Sequence, residues 1–335
     1  MPLLVGSTLP GTPGTPGTPG TPGTPGTPGT SGGGTPGSLR PQPKRITWTS
    51  PAGDTLDLCS DAQGYRSLPG RSGFGIPPRE VVYDANPMGG GLFRSIQDQV
   101  RMLSIPLRVH ATTQADYLTR LHRLQNAVRH RYRGQDVPGT ITVHLPDGST
   151  RSIRAYYHGG LSDHTEELED LLFTAQTFPN VEFIALDPYW EGGEVGDAWR
   201  ATAGRAWFGA MPRSLAASQV LGSVTVNLPG DADAYPVWTV TGPGVPTIAN
   251  VTSGRSFAFE SGSPIADGQT VTIDTRDEYL SVTDQDGVSL YSSLEQWPDL
   301  WSLEPGANEL TVEMAGSSAA SRVAFTAGVR WQAGW

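Results

Sequence analysis

The most constraining feature of this sequence is the spacing of turn residues along its last third. Between residues 221 and 335, short segments alternate apolar with polar side chains, as in SVTVNL at 223–228 and RVAFTAGVRW at 322–331. Turn-forming pairs separate these segments: Pro229-Gly230, Gly242-Pro243, Asp267-Gly268, Asp286-Gly287 and Pro305-Gly306. Strands that recur every 8–12 residues or so are typical of a β-sandwich. We therefore predict a sandwich over 221–335.

Residues 41–195 also predict a mainly β domain. RITWTSPAGDTLDL at 45–58 and TITVHLPDGSTRSIRAYY at 140–157 each place a turn between two alternating runs, which is the pattern of a hairpin. A further strand is predicted at 103–109. Because Pro106 has no N–H to donate, we expect this strand near a sheet edge.

The first domain contains the one convincing helix of the chain, at about 113–133. Thr113 and Asp116 resemble a capping box at its start, and Gly134 stands where a C-terminal cap belongs. The helical spacing of its apolar residues defines a single buried stripe. That stripe consists of Leu118, Leu121, Leu124 and Val128.

Three segments lack clear periodicity. Residues 64–92 are rich in Gly and Pro, and we expect long loops there around one short strand at 80–84. Residues 196–220 are interpreted as a connector between the two domains. Residues 1–40 offer little to bury and are predicted to form an arm that does not fold alone.

The arm is dominated by six consecutive Gly-Thr-Pro triplets between residues 11 and 30. A Gly at every third position is what a collagen triple helix requires, but the same composition suits a disordered or polyproline-II tether. Six triplets are few for a triple helix, so we favour the tether. Twenty polyproline-II residues would reach about 60 Å.

Composition excludes several classes of function. The net charge of −10 argues against nucleic acid as the main partner. Cys59 is the one cysteine, so neither an internal disulfide nor a Cys-based zinc site is available within one chain. No apolar run is long enough for a membrane-spanning helix, and residues 1–10 do not read as a secretory signal.

No residue pattern in the sequence strongly predicts a catalytic, metal-binding or sugar-binding site. The six histidines all precede residue 165 and show no metal-ligand spacing, so we expect no metal, no cofactor and no enzymatic activity. The acidic pair Asp284 and Asp286 is interpreted as part of a hairpin turn rather than a calcium loop. The carboxylates at 166–170 are interpreted as a solvated turn. Sugar stacking remains open for three aromatic residues: Trp238, Trp297 and Trp301.

A series of short motifs resembles one protein family. LDPYWEGGE at 186–194 is followed by VNLPGDADAYPVWTVTGP at 226–243, GQTVTIDT at 268–275 and LEPGANELTV at 303–312. In this order and spacing, residues 44–335 are similar to the distal tail proteins of long-tailed bacteriophages, which include minor tail proteins of actinobacterial phages. Each motif alone is weak evidence for the family, whereas all four in this order are more specific.

The resemblance implies a two-part fold and a structural role. The first part would be a tail-tube-like β-sandwich or split barrel flanked by a helix, and the second a galectin-like β-sandwich. Six copies would form a ring at the distal end of the tail that joins the tail tube to the tail tip or baseplate and its fibres. The protein would belong to the virion and would be present in the host cytoplasm during assembly.

The implied partners are other copies of the chain, the major tail tube protein, the central hub protein and the tape measure protein, with tail fibres or receptor-binding proteins beyond them. We expect residues 64–92 to contact neighbouring subunits. The candidate assembly residues lie in two segments: Asn86, Gly89, Gly90 and Gly91, then Asp187, Pro188, Tyr189 and Trp190.

Two other functions stay open. The second domain contains no histidine, so the His-x-Asn-x-Arg motif of sugar-binding galectins is absent. Carbohydrate or receptor binding through 221–335 is nevertheless the main alternative. An enzyme with an accessory sandwich is a further one, which the lack of a catalytic motif disfavours.

Overall fold

The computed structural model describes residues 45–162, 174–200 and 220–335, all within one compact unit that spans Gln42–Trp335. This described part is mainly β with a single α-helix, as the sequence predicted. Three predicted features lie outside it: the Gly-Thr-Pro arm, the carboxylates at 166–170 and most of the connector.

Twelve strands and the helix precede residue 201. The helix α1 spans Gln114–Ala127. The strands are β1 Arg45–Thr49, β2 Thr55–Asp57, β3 Tyr65–Ser67, β4 Arg79–Ala85, β5 Gly91–Asp98, β6 Arg101–His110, β7 Arg131–Tyr132, β8 Gln135–Asp136, β9 Gly139–His144, β10 Thr150–Gly159, β11 Ala175–Ala185 and β12 Trp190–Arg200.

The remaining eight strands follow residue 219. They are β13 Val220–Leu228, β14 Pro236–Thr241, β15 Val245–Asn250, β16 Arg255–Ala258, β17 Thr270–Asp274, β18 Ser281–Asp284, β19 Gly306–Ala315 and β20 Arg322–Trp331. Their short length and close spacing match the turn pattern of the sequence.

Antiparallel pairing joins these strands into four sheets. The largest has 12 strands, with the main path β18-β17-β14-β20-β12-β10-β11-β6-β3 and with β1, β2 and β9 attached beside it. A 4-stranded sheet has the order β13-β19-β15-β16, and two hairpins, β4–β5 and β7–β8, stand apart. The predicted hairpins at 45–58 and 140–157 are confirmed as β1–β2 and β9–β10.

Two hydrophobic clusters fill the interior. The first collects buried residues from Ile46 to Trp190, and the second collects residues from Trp199 to Val329. Strand β12 contributes Trp190 to the first and Trp199 to the second. The strand therefore links both clusters, and it extends to Arg200, into the segment that we expected to be a connector.

The helix is shorter than predicted. It begins as expected, because Thr113 Oγ1 accepts a hydrogen bond from the Asp116 backbone N–H at 3.2 Å. It ends at Ala127 rather than near 133, because the chain turns back and β7 pairs with β8. Gly134, with φ of 84°, lies in the turn of that small hairpin and does not cap the helix.

Strand β6 lies near the edge of its sheet, as expected from Pro106, but it is not itself the edge strand. It lies between β11 and β3. The proline is accommodated because β11 shifts register between Phe178, opposite Leu107, and Val181, opposite Ile105. The irregularity lies where the missing N–H would otherwise leave a gap in the ladder.

Candidate functional site

The first candidate segment forms the tip of a long β-hairpin. Strands β4 and β5 and the turn between them, residues 79–98, are called the hairpin arm below. Its tip holds Asn86, Gly89 and Gly90: the backbone N–H of Gly89 donates to the Asn86 carbonyl at 2.9 Å. Gly89 and Gly90 have φ of 99° and 79°, which favours glycine. Gly91 begins β5, so this stretch closes a hairpin rather than extending a long loop.

One face of the hairpin arm is apolar and uncovered in the isolated chain. Cross-strand partners project on the same side of an antiparallel pair, and the pairs Val81–Ile96 and Tyr83–Phe93 share one side. These four side chains are 52%, 55%, 63% and 64% exposed, respectively. A contiguous set of large exposed apolar groups is unusual on a soluble protomer and marks an interaction surface.

The opposite face of the hairpin arm is mostly polar. Glu80 pairs across the strands with Gln97, and Asp84 forms an ion pair with Arg94. The hairpin arm therefore has one apolar face and one mostly polar face. An isolated two-stranded hairpin is marginally stable in water, so a surface that covers the apolar face would stabilise it.

A polar network fixes the base of the hairpin arm. Arg79 Nε donates to Asp98 Oδ1 at 2.8 Å, and Arg79 Nη2 donates to the Gln332 side chain at 2.9 Å. The Tyr189 hydroxyl donates to Asp98 Oδ2. The structure does not bring the two candidate segments together: Tyr189 contacts the base of the arm, while the glycines lie at its far end.

The base network shifts the pKa values of both partners. Burial alone raises the pKa of Asp98, but the hydrogen bonds from Tyr189 and Arg79 outweigh it and hold that pKa below its usual value. Burial, together with the bond to Asp98, raises the pKa of Tyr189 to about 12. Asp98 is therefore ionised and Tyr189 protonated at neutral pH.

The rest of the second candidate segment is anchored inside the protein. Asp187 accepts from Arg330 Nη2 at 2.6 and 2.7 Å. Trp190 is fully buried and stacks on Phe74 at 5.5 Å between ring centroids. The Pro188 carbonyl accepts from Arg101 Nε at 2.7 Å. These residues position the base of the arm; Trp190 is buried, whereas Asp187, Pro188 and Tyr189 are partly exposed.

Arg101 is a residue that sequence reasoning missed. It is 1% exposed, and besides Pro188 it donates to the backbone carbonyls of Gly73, Gly75 and Gln332. Burial lowers the pKa of its guanidinium to about 10, which leaves it charged at neutral pH. A single cation therefore joins three distant parts of the chain behind the hairpin arm.

The structure also shows how exposed the three candidate tryptophans are and what the acidic pair Asp284 and Asp286 forms. Trp238 and Trp301 are buried in the second core, whereas Trp297 is 88% exposed with a left-handed φ of 65°. Asp284 Oδ1 accepts from the backbone N–H groups of Asp286 and Val288 at 3.0 and 2.9 Å, so this pair forms the predicted hairpin turn.

The described residues hold neither a cluster of metal-ligating side chains nor a membrane-spanning helix. No group of three or more His, Cys, Asp or Glu side chains in them is placed to hold a metal ion. None of their helices combines the length and apolar character that crossing a bilayer requires.

Comparison with known proteins gives a likeness in structure only. No protein-family model and no curated sequence matches the chain. The crystal structure of the Dit protein of phage SPP1, described as a paradigm of the hub adsorption apparatus in phages that infect Gram-positive bacteria, aligns over 85% of this chain and 98% of that chain, with 14% identity and a TM-score of 0.58. The two chains share a fold.

A second likeness is weaker. The baseplate of phage P2 in its activated conformation with Ca contains a chain that aligns over 84% of this chain and 97% of its own length. Its identity is 9% and its TM-score is 0.43.

Proposed function

We propose that this protein is a structural component of a phage virion, a distal tail adaptor without enzymatic activity. Six copies would form a ring that joins the tail tube to the tail tip or baseplate. The likeness in fold to the SPP1 Dit protein supports this proposal. Its partners would be the tube, hub and tape measure proteins, with fibres or receptor-binding proteins attached.

The observation that best supports the ring is the apolar face of the hairpin arm. Rings of identical subunits use heterologous contacts, in which one patch of each copy meets a different patch of the next. An arm that projects an uncovered apolar face suits one side of such a contact. We infer that the face defined by Val81, Tyr83, Phe93 and Ile96 packs against a neighbouring copy.

Substitution on the two faces of the arm tests this contact. The variant Val81→Ser, Phe93→Ser, Ile96→Ser removes the apolar face and leaves the register of the arm in place. We expect light scattering after size exclusion to show a ring for the native chain and a protomer for this variant, with similar thermal unfolding of the protomer core.

The matched control changes the polar face. The variant Glu80→Ser, Gln97→Ser should assemble as the native chain does. Equal assembly of all three proteins would contradict the contact, and so would loss of assembly in the control alone.

The division into a first β domain at 41–195, a connector at 196–220 and a sandwich at 221–335 is also a proposal. The two hydrophobic clusters support it, except that Trp199 of β12, within the proposed connector, packs in the second cluster. We also propose that the first part is similar to a tail-tube subunit and the second to a galectin, and that the protein lies at the distal end of the tail.

A second candidate function is recognition of a receptor or carbohydrate by residues 221–335. Of the three tryptophans considered for it, only Trp297 is exposed. An exposed Trp in a left-handed conformation is costly unless the surrounding structure imposes it, and such residues concentrate at binding sites. A glycan array probed with the full-length chain tests this candidate. We expect binding that the variant Trp297→Ala abolishes, and binding that this variant leaves unchanged would contradict it.

A further inference from the structure

The four residues that follow β20 turn back onto the first hydrophobic cluster, although β20 itself contributes to the second. The backbone N–H of Gly334 donates to the Phe74 carbonyl at 2.8 Å, and the ring of Trp335 stacks on that of Phe74 at 5.5 Å between centroids. Phe74 is fully buried and also stacks on Trp190. A Cβ on Gly334 would lie 2.9 Å from the Trp190 ring, so this close approach favours glycine. Residues 332–335 are called the strap below.

Gln332, the first residue of the strap, uses its backbone and its side chain to join three parts of the chain. Its backbone N–H donates to Asp231 Oδ1, and its side-chain Nε2 donates to the Asp231 carbonyl at 2.8 Å. Its backbone carbonyl accepts from Arg101 Nη2 at 2.7 Å. Its side-chain Oε1 accepts from Arg79 Nη2 at 2.9 Å, at the base of the hairpin arm. Gln332 therefore connects the arm both to Arg101 and to the loop that precedes β14.

The hairpin arm has few attachments to the rest of the protein. Strand β4 is exposed along its whole length, and most of β5 is exposed. In the described part of the chain, two hydrogen bonds join the arm to residues outside positions 78–99: Tyr189 donates to Asp98 on β5, and Gln332 accepts from Arg79 on β4. Because Arg79 also binds Asp98, the two bonds together hold both strands. Without Gln332, only the bond to Asp98 would hold the arm from outside, and the arm would pivot more freely about its base.

A pivoting arm would assemble less well than a fixed one. The apolar face lies along the arm, so a change of angle at the base displaces that face relative to the rest of the protomer. Ordering a mobile segment when a partner binds costs conformational entropy, whereas a surface that is already in place avoids this cost. The bond from Arg79 to Gln332 has a charged donor, and such bonds contribute more to stability than neutral ones do.

We propose that Gln332 is a positioning residue for assembly, which fixes the hairpin arm through Arg79. Because the strap and Asp231 in turn fix Gln332, the arm is held in place only after the strands that follow residue 219 have folded. Assembly is then restricted to chains in which both hydrophobic clusters have formed. The assembly role rests on the proposed function, whereas the hold of Gln332 on the arm is measurable in a single protomer.

Spin labels measure the position of the arm directly. One label is attached at the exposed tip of the arm, at Met88→Cys, and one on the exposed side of α1, at Gln125→Cys, with Cys59→Ser to remove the native thiol. The full-length chain also carries the three serine substitutions of the apolar face, which we expect to keep it a protomer. Double electron–electron resonance should give a narrow distribution of distances between the labels. The substitution Gln332→Ala should broaden this distribution at least about twofold.

The matched control is Gln285→Ala, which removes a glutamine side chain that accepts from the Thr270 backbone N–H on β17, outside the arm. It should leave the distance distribution unchanged. In a chain that carries Arg79→Ala, the further substitution Gln332→Ala should cause no more broadening, because Gln332 acts through Arg79. Further broadening there would contradict this route.

The assembly role is tested with the apolar face intact and without labels. Gln332→Ala should raise the protomer concentration that ring assembly requires at least about tenfold, because it removes a hydrogen bond to a charged group. Gln285→Ala should leave that concentration unchanged. Light scattering after size exclusion measures both.

Three results would overturn the proposal. One is a distance distribution that stays as narrow in Gln332→Ala as in the labelled parent chain. The second is equal broadening by Gln285→Ala. The third is broadening by Gln332→Ala together with ring assembly at the native concentration, which would show that the position of the arm does not control assembly. If the native chain forms no ring, the proposed function fails and the assembly role fails with it, while the distances still show whether Gln332 fixes the arm.

Discussion

At the scale of single residues, Arg101 does the most to hold the candidate site together. Its guanidinium donates to backbone carbonyls at Gly73, Gly75, Pro188 and Gln332, which lie far apart in the sequence. The hydrogen bonds are charge-assisted and shielded from water, so each is stronger than a neutral surface bond.

The variant Arg101→Met should therefore be strongly destabilised. It keeps much of the side-chain volume but leaves several buried carbonyls without a donor, which we expect to lower the free energy of unfolding by at least about 3 kcal/mol. Denaturant unfolding measures this. Arg255→Met, which removes an exposed partner of Asp299, should unfold almost as the native chain does. Equal effects of the two substitutions on the free energy of unfolding would show that the hydrogen bonds of Arg101 do not stabilise the fold more than an exposed ion pair does.

Asp98 gives the base of the hairpin arm a pH dependence. Its pKa is lower in the folded chain than in the unfolded chain, so its contribution to stability is present above the unfolded value of about 4 and is lost as the pH falls through the folded value. Asp98→Asn should be less stable than the native chain at pH 7, and the difference should shrink below pH 4 or so. A constant difference in unfolding free energy between pH 7 and pH 2 would contradict this.

At the scale of elements, the sequence predicted regular strands well and irregular ones poorly. The alternation of Ile141 and Val143 with polar neighbours was sufficient to predict β9. The hairpin arm was obscured because its register shifts between Val82 and Tyr83, so the side chains of β5 do not alternate regularly. A strand at 80–84 could be recognised, but its partner could not.

The end of α1 was mispredicted because local pairing competes with helix formation there. A helix through 133 would have placed Arg129, Arg131 and Arg133 in its last turn. The chain instead forms β7 and β8 around Arg133 and Gly134, whose φ values of 51° and 84° suit a type I′ turn. Asn-Gly is the pair that most strongly predicts such a turn. Because this chain has arginine at the first position, the hairpin could not be recognised from the sequence.

That turn offers a stabilising substitution. A left-handed conformation is strained for arginine and easier for asparagine, so Arg133→Asn should raise the free energy of unfolding by about 0.5–1 kcal/mol. Gly134→Ala should lower it. Thermal and denaturant unfolding of the two variants measure both effects. If Arg133→Asn is neutral or destabilising, the strain attributed to this turn is absent.

At the scale of the whole molecule, the two hydrophobic clusters depend on shared strands. Strand β20 pairs with β12 on one side and with β14 on the other, and Trp199 from β12 packs near Trp238 and Phe325. The pairing of β12 with β20, the contact of Trp199 with Phe325 and the bond from Arg330 to Asp187 each join residues more than a hundred positions apart. Local patterns in a sequence do not report them, which is why the anchoring role of 187–190 was not foreseen.

A fragment that begins at residue 221 should therefore fold poorly. It would expose one edge of β20 and uncover the second core where Trp199 packs. We expect the fragment 221–335 to aggregate or to lack cooperative unfolding by circular dichroism, whereas the fragment 187–335, which retains β12, should unfold cooperatively. Stable, monomeric behaviour of the shorter fragment would contradict this dependence.

We propose that the hairpin arm joins identical copies into a closed ring. Negative-stain electron microscopy of the purified full-length chain, with native mass spectrometry of the same sample, tests it most directly. We expect annular particles with the mass of six protomers, and we expect them to disappear in the variant Val81→Ser, Phe93→Ser, Ile96→Ser. A native chain that stays a single protomer at high concentration would contradict it.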